Sequence, residues 1–335
     1  MITAILPVWN AEQTIQRAVR SALSQSFHDF ELLVVNDGSM DATGTLLEQL
    51  ALSDSRIRII SKNHSGVADA FNAGLRESKG KYIARMDADD EMHPERLEKQ
   101  ATFLDEHPHI GVVSCLVKHG GDVKSQEGYL RHIDWLNTLV TPEQIALNRF
   151  IDSPVCNPSV MFRRELVAQH GDCLHGDFPE DYEMWLRWIE GGVLFEKIPE
   201  VLFTWNDLWT RLTRNDARYS VEAFERVKKK YLVNYIRTNN PEQRPLYLCG
   251  TGRITRKKSI FLAKSGLPIG GYLDVDVTKI GLKYDEVPVI GIDELPDPSK
   301  AFVVSYIGVR GVREEIRAML EGKGFVEGRD FVMAG

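Results

Sequence analysis

The feature that most constrains this chain is a regular alternation of two hydrophobic patterns along its first 117 residues. Apolar runs of strand length alternate with stretches in which apolar residues recur at helical spacing. Strands that are apolar on both faces belong to a mostly parallel sheet covered by helices. We therefore predict an α/β fold. The apolar runs are Thr3–Val8, Phe30–Val35, Ile57–Ile60, Tyr82–Met86 and Ile110–Val117, and the helical stretches are Glu12–Gln25, Asp41–Leu52, Val67–Ser78 and Pro94–His107.

Polar clusters follow three of the predicted strands, at Pro7–Asn10, Asn36–Ser39 and Asp87–Asp90. The carboxyl ends of parallel strands meet at one edge of a sheet, and open α/β sheets bind their ligands at that edge. We therefore expect the functional site to be built from these three turns.

The acidic turn Asp87-Ala88-Asp89-Asp90 is the clearest chemical signal. Its carboxylates repel one another, whereas Mg²⁺ or Mn²⁺ prefers such oxygen ligands and is often held by carboxylates together with substrate phosphates. The net charge of −7 argues against a general nucleic-acid binder. A bridging metal would let this acidic chain hold an anionic diphosphate. The alternative is a solvated acidic turn that caps the next helix.

Two further acidic positions have a structural alternative. Asp37 ends the second strand, where a carboxylate can accept hydrogen bonds from a base or a ribose hydroxyl; otherwise it belongs to a turn in which Gly38 supplies the conformation. Glu180-Asp181 opens a stretch with helical spacing, and acidic residues are favoured at a helix N-terminus by the dipole alone.

The aromatic and basic residues after the second acidic pair are candidates for acceptor contacts. Trp205 and Trp209 are candidates for stacking on a sugar, and Arg211 for an anionic phosphate, although a solvated surface arginine is an equal alternative. From Lys118 to Arg149 the pattern weakens, which favours an insertion or a loop-rich stretch. We expect acceptor contacts there as well.

The C-terminal part begins a second α/β pattern at Leu246 with a strand, a Gly-x-Gly turn and a helix. The third glycine of a dinucleotide-binding turn is absent, because Thr255 stands in its place. A Rossmann-like ligand-binding domain and a packing or dimerisation domain are both open. We divide the chain into a domain at 1–215, a helical segment and linker at 216–245, and a Rossmann-like domain at 246–335.

Taken together, the motifs of the first 215 residues resemble glycosyltransferase family 2, whose members have the GT-A fold and invert the anomeric carbon. The matching pieces are PVWNAE (7–12), VVNDGSMD (34–41), the Gly66/Asn72/Gly74 set, GKYIARMDADD (80–90), NPSVMFRRE (157–165) and PEDYEMWLR (179–187). Two positions depart from the common pattern, with Trp9 where tyrosine is common and Asn36 where aspartate is common.

The resemblance implies a role for each matching position. Asp89 would ligate Mg²⁺ or Mn²⁺, and Asp181 would be the catalytic base, with Glu180 beside it as a candidate for acceptor or phosphate contact. The residues implied to bind the donor are Pro7, Val8, Glu12, Asp37, Asp87 and Ala88. The implied activity moves a sugar from a nucleoside-diphosphate donor, a UDP-sugar, to a hydroxyl of a glycan or lipid-linked glycan during surface polysaccharide synthesis.

Alternative functions and the compartment follow from simpler features. A sugar nucleotidyltransferase would need a Gly- and Arg/Lys-rich loop after the first strand, and PVWNAEQTIQ has none. A degenerate metal motif or a missing base would favour a non-catalytic sugar-nucleotide sensor, but both acidic motifs are intact. The four scattered cysteines form no C-x-x-C pair, which fits a reducing compartment. We expect a cytoplasmic enzyme without a membrane span, open to peripheral association and to homodimer formation.

Overall fold

The computed structural model describes residues 1–121, 127–208, 211–309 and 311–335. Contacts between residues group the chain into two compact units. Unit 1 comprises residues 1–146 and 154–227, and unit 2 comprises residues 147–153 and 228–335. The predicted limits at residues 215 and 245 stay a prediction.

Unit 1 is built on an eight-stranded sheet in the order β3-β2-β1-β4-β7-β6-β8-β5. The neighbours among β1, β2, β3 and β4 pair in parallel, whereas β7 runs antiparallel to β4 and β6, and β5 antiparallel to β8. The predicted α/β class and mostly parallel sheet are confirmed. The strands are β1 (Ile2–Val8), β2 (Phe30–Asn36), β3 (Ile57–Ser61), β4 (Tyr82–Arg85), β5 (Glu91–Met92), β6 (Ile110–Gly120), β7 (Met161–Arg163) and β8 (Leu194–Asn206).

The helices of unit 1 bury the apolar stripes that the spacing predicts. In the first helix this stripe is Ile15, Ala18, Val19 and Ala22. The helices are α1 (Ile15–Leu23), α2 (Thr43–Ser53), α3 (Val67–Glu77), α4 (Arg96–Glu106), α5 (Glu127–Thr138), α6 (Pro142–Asn148), α7 (Glu165–His170), α8 (Glu180–Glu190), α9 (Leu212–Asn215) and α10 (Val221–Asn239), of which α6 and α10 extend into unit 2.

The segment from Lys118 to Arg149 is not loop-rich, and that expectation is corrected. Strand β6 continues to Gly120, and α5 and α6 occupy most of the described remainder. Helix α5 buries only Ile133 and Leu136. Tyr129, Ile133 and Leu136 recur at intervals of four and three, so the segment does carry a short helical pattern, which the sequence reasoning missed.

The sheet register brings the polar turns of unit 1 to one edge. Val8 at the end of β1 pairs with Asn36 at the end of β2, and Ile5 of β1 pairs with Arg85 at the end of β4. The backbone N–H of Asp37 donates to the carbonyl of Val8 at 2.9 Å. The turns after β1, β2 and β4 are therefore neighbours at the carboxyl ends of parallel strands.

Unit 2 contains a second sheet in the order β11-β12-β10-β9-β13-β14, with all neighbours parallel except β11 and β12. The order reverses at β9, as in doubly wound α/β folds. Its elements are β9 (Leu246–Cys249), α11 (Arg253–Lys264), β10 (Ile269–Leu273), β11 (Lys283–Tyr284), β12 (Val287–Ile290), β13 (Phe302–Ser305), α12 (Val312–Gly322) and β14 (Phe331–Met333). None of the described helices of either unit is both long enough and apolar enough to cross a membrane.

Candidate active site

The acidic turn between β4 and β5 gathers three carboxylates in one place. Asp87, Asp89 and Asp90 each offer one oxygen, and these oxygens lie within 4.8 Å of one another. Asp87 and Asp89 are half-buried, whereas Asp90 is fully buried. The oxygens are hard ligands at a spacing that suits a divalent cation, so the donor set fits Mg²⁺ or Mn²⁺.

Burial makes this cluster electrostatically unfavourable by itself. It raises the pKa of Asp89, with a further contribution from the charge of Asp87, while Arg211 opposes the shift. Burial and the charge of Asp89 raise the pKa of Asp90 well above its usual range. The Oδ1 atom of Asp90 accepts a hydrogen bond from the Asn206 backbone at 2.7 Å, but its buried Oδ2 has no partner among the described residues. A cation would offset the repulsion within the cluster.

Two arginines approach the acidic turn from other elements. Arg17 of α1 donates to the backbone carbonyl of Asp89 at 2.8 Å. Arg211 donates to the Tyr129 hydroxyl at 3.1 Å and to the carbonyl of Asn206 at 2.9 Å. Burial opposes the charge of Arg211, but the nearby acidic groups, with Asp90 first, raise its pKa. Arg211 is thus a counter-ion of the cluster.

The second acidic pair, Glu180 and Asp181, forms the first turn of α8. Glu180 is buried and accepts a hydrogen bond from the Tyr219 hydroxyl at 2.7 Å. Burial, followed by the charge of Glu180, raises the pKa of Asp181 to about 7, although Arg85 lowers it. A carboxylate with a pKa near neutrality is suited to general-base catalysis. The half-buried side chain of Asp181 keeps some contact with solvent.

Arg85, which the sequence reasoning missed, contacts the first acidic group and interacts electrostatically with the second. Its side chain is buried, its Nη2 atom lies 3.4 Å from Oδ1 of Asp87, and its guanidinium lies 4.5 Å from the centre of the Phe71 ring. Burial lowers its pKa, but Asp87, Glu180 and Asp181 raise it and outweigh that effect. The available signal was a charged residue inside an otherwise apolar strand.

Asp37 organises the loop that follows β3. Its buried carboxylate accepts from Nζ of Lys62 at 2.7 Å and from the backbone N–H groups of Ser65 and Gly66, the latter at 2.8 Å, and it lies 2.9 Å from Nδ1 of His64. Both oxygens already have partners. The ring of His64 in turn stacks on Trp9 with centroids 4.5 Å apart. A donor base that binds here would therefore contact a turn whose shape depends on the hydrogen bonds between Asp37 and this loop.

Replacing Asp37 by asparagine should destabilise the protein and weaken donor binding. The amide turns one acceptor into a donor facing Lys62 and the loop N–H groups, at a cost of about 1–3 kcal/mol because Lys62 stays partly hydrated. We expect Tm to fall by several degrees and the donor Kd to rise about tenfold or more in thermal-unfolding and calorimetric titrations. Glu48→Gln, which neutralises an exposed acid on α2, is the control. Unchanged Tm and Kd in Asp37→Asn would contradict this role.

The other predicted donor-binding residues lie in the first turns of unit 1. Pro7 and Val8 are buried at the end of β1, and Ala88 is half-buried in the acidic turn. Glu12 accepts from the backbone N–H of Ala42 at 3.0 Å, so it also supports the start of α2. Their contact with a donor stays a prediction.

Trp205 and Trp209 are the two tryptophans proposed for acceptor contact. Trp205 is half-buried, with Tyr129 at 4.9 Å between ring centroids and the Arg211 guanidinium 5.0 Å from its ring centre. Its indole nitrogen is buried without a partner among the described residues. Trp209 lies outside the described residues. An acceptor role for either residue stays a prediction.

The Gly-x-Gly turn of unit 2 is occupied by its own side chains. Asp274 follows β10 and accepts from the hydroxyl of Thr251 at 2.5 Å, with Nζ of Lys279 at 3.4 Å. These contacts lower the pKa of Asp274 against the opposing and largest effect, burial. Asp274 and Thr251, the polar groups at this edge of unit 2, therefore have partners within the unit.

Comparison with known protein families accounts for the arrangement in unit 1. The sequence model described as Glycosyl transferase family 2 matches residues 3–171, half of the chain, including the turns that contain Asp37 and Asp87–Asp90. The chain belongs to glycosyltransferase family 2. Its enzymatic class is therefore glycosyl transfer.

Relatives extend the family match beyond these residues. An uncharacterized glycosyltransferase of Haemophilus influenzae is 30% identical over 244 residues, which cover 70% of this chain and 74% of the relative. The putative glycosyltransferase EpsE of Bacillus subtilis is 29% identical over 79% of this chain and 96% of its own length. The O-antigen biosynthesis glycosyltransferase WbnJ of Escherichia coli is 24% identical over 70% of this chain and 92% of its own.

Solved structures share the fold. Residues 1–349 of TarS from S. aureus, in complex with UDP-GlcNAc, superpose with a TM-score of 0.57 at 20% identity over 70% of this chain and 66% of that one. The mannosyltransferase PcManGT of Pyrobaculum calidifontis, in complex with GDP-Man and Mn²⁺, gives a TM-score of 0.50 at 18% identity over 79% of this chain and 69% of that one. At these identities the likeness concerns the GT-A fold.

Proposed function

We propose that this family 2 glycosyltransferase moves a sugar from a UDP-sugar to a hydroxyl of a glycan or lipid-linked glycan, with inversion of the anomeric carbon. The observation that carries the proposal is the presence of two acidic groups that both interact electrostatically with buried Arg85. One group, Asp87 to Asp90, has the composition of a metal and diphosphate site. The other contains Asp181, whose pKa of about 7 suits a general base.

The acidic turn is assigned to donor binding. Asp89 would ligate Mg²⁺ or Mn²⁺, with Asp87 on the nucleotide side. Asp90 is fixed by the hydrogen bond that it accepts from the Asn206 backbone. The bound metal would neutralise charge on the departing diphosphate. Arg85 of β4 and Arg17 of α1 support the turn through Oδ1 of Asp87 and the carbonyl of Asp89, respectively. A preformed turn lets the donor bind without first ordering the loop.

Asp181 is assigned to the acceptor. Its carboxylate removes the proton from the acceptor hydroxyl while that oxygen forms a bond to the anomeric carbon. The bond from the anomeric carbon to the diphosphate oxygen breaks on the opposite face, and the electron pair leaves with the nucleoside diphosphate. One displacement inverts the configuration. Glu180, held by Tyr219, adds a second negative charge that makes Asp181 more basic.

Transfer should depend on pH through Asp181. Because its pKa is raised to about 7, the carboxyl is protonated and inactive below that pH and becomes the basic carboxylate above it. We expect kcat/KM to fall about tenfold per pH unit below neutrality and to level off above it. The measurement is a pH profile at saturating metal, with Mn²⁺ binding followed in parallel. A profile that stays flat down to pH values near the ordinary aspartate pKa would rule out this base.

The proposed donor and the proposed biosynthetic role are based on related proteins. TarS is known in complex with UDP-GlcNAc, and WbnJ is named for O-antigen biosynthesis. We propose a UDP-sugar and a role in surface polysaccharide synthesis, in the cytoplasm, where the four buried and unpaired cysteines would stay reduced. The direct experiment measures Tm against a panel of nucleotide sugars with Mn²⁺, because a ligand that binds the folded state raises Tm. No stabilisation by any uridine nucleotide would exclude the proposed donor.

A further inference from the structure

The charges of the chain are divided unevenly between its units. Unit 2 contains 19 lysines and arginines and 14 acidic residues, a balance of +5, which leaves −12 for unit 1 out of the total of −7. The 31 residues from Gln243 to Leu273, which include α11, contain six basic residues and no acidic residue. Unit 2 is thus a basic body with an acid-free helix.

Helix α11 presents its cations to solvent along one stripe. Thr255, Ser259 and Leu262 form its buried face. The α11 face, defined here as Arg253, Ile254, Lys257, Ile260 and Lys264, is exposed, and most of its members recur at intervals of three, four or seven residues. None of the described residues forms an ion pair with its three cations. Their charge is therefore uncompensated within the unit.

Two of the exposed residues on this face are isoleucines. Ile254 is 66% exposed and Ile260 is 43% exposed, and each is flanked by a cation. The folded unit gains little from leaving these side chains in water. A face that mixes exposed aliphatic residues with unpaired cations is typical of helices that lie on a membrane surface.

Helix α10 extends the basic surface beside α11. Nζ of Lys229 lies 5.1 Å from the centre of the Phe261 ring, and Arg237 donates to the carbonyl of Ser265 at 2.7 Å. Lys230 is exposed on the same helix. The α11 face is therefore bordered by further cations and is supported by contacts between two helices of unit 2.

We propose that the α11 face docks unit 2 onto a membrane surface rich in anionic lipid. Anionic headgroups match the three cations, and the interface between headgroups and acyl chains accepts the two isoleucines. A nucleic acid would match the cations but would leave the isoleucines without a partner. The proposal goes beyond sugar transfer, since it concerns where the enzyme is held.

The test is co-sedimentation of the full chain with vesicles of phosphatidylglycerol and phosphatidylcholine in equal parts, against vesicles of phosphatidylcholine alone. We expect binding only to the anionic vesicles. Lys257→Gln with Lys264→Gln should weaken it about thirtyfold, at about one charge's contribution per lysine. The matched control, Lys283→Gln with Lys300→Gln, removes the same charge from exposed residues of unit 2 and should bind normally.

The isoleucines distinguish a lipid surface from any other polyanion. Ile254→Ser with Ile260→Ser should weaken vesicle binding about tenfold, yet leave any binding to a DNA oligonucleotide unchanged. Equal vesicle binding by this variant and the unmodified chain, equal loss in both lysine pairs, or tighter binding to DNA than to vesicles would each overturn the proposal. The variants should keep donor hydrolysis, and inactive Asp181→Asn should still bind vesicles, so this test is independent of the proposed reaction.

Discussion

Replacing Asp181 by asparagine is expected to slow transfer by roughly 10²–10⁴-fold, the usual contribution of a positioned general base. Asparagine keeps the size of the side chain. It also keeps an oxygen that can accept the hydrogen bond which the Tyr182 backbone donates to Oδ1 of Asp181 at 2.7 Å. It cannot accept the proton of the acceptor hydroxyl. Donor binding should survive, because the donor is assigned to the turns that contain Asp37 and Asp87. The measurements are the transfer rate and the donor Kd of the same preparation.

Two variants on the same helix serve as controls. Glu190→Gln changes an exposed acid at the far end of α8 and should transfer normally. Glu180→Gln keeps an oxygen for the Tyr219 hydroxyl and removes the charge that raises the pKa of Asp181. This variant should transfer more slowly only on the high-pH plateau, where the base is fully deprotonated. The acid limb of its pH–rate profile should shift to lower pH. Near-normal transfer by Asp181→Asn with an inactive Glu180→Gln would assign the base to Glu180.

Replacing Asp89 by asparagine is expected to remove metal binding and to reduce transfer by at least about 10³-fold, since charge on the leaving diphosphate would lose several kcal/mol of stabilisation. A chelator should have the same effect on the unmodified chain. Direct titration with Mn²⁺ measures the loss without relying on activity. Full transfer in excess chelator, or unchanged Mn²⁺ affinity in Asp89→Asn, would remove the metal from the proposal.

The Asp89→Asn variant should keep its fold, and the pKa shift of Asp89 predicts the direction of the change in Tm. Because the pKa of Asp89 is raised in the folded protein, its charged form costs stability at neutral pH, and this cost disappears as pH falls through the folded pKa. Neutral asparagine should therefore leave Tm unchanged or raise it in the absence of metal. Asp134→Asn, on the exposed side of α5, is the control. A lower Tm in Asp89→Asn alone would mean that the carboxylate supports the fold.

Apart from the two-residue strand β5, the sequence was sufficient for the strands and helices of the first 117 residues, because their signals are local. Strand β2 and the end of β4 lie where the apolar runs predict them, and the acidic turn follows directly. The prediction failed at α5, although Tyr129, Ile133 and Leu136 recur there at helical spacing. A local signal was present in this segment, and the sequence reasoning did not use it.

The partners of the acidic residues could not be predicted in this way. Asn206 lies 116 residues from Asp90, and Tyr219 lies 39 residues from Glu180. Nothing in the local pattern connects these positions, since each contact depends on where the chain returns to the sheet edge. Arg85 alone left a local signal, a cation within a buried strand.

The sequence by itself determined the family and the acidic motifs, because motif identity and spacing are properties of neighbouring residues. Only the tertiary structure decided the electrostatic state of those motifs. The pKa of Asp181 depends on burial, on Glu180 and on Arg85, which folding brings together from α8 and β4. The two oxygens of Asp37 are likewise occupied by a loop that follows another strand. Interactions between charges depend on distance and on the exclusion of water, and both are set by packing.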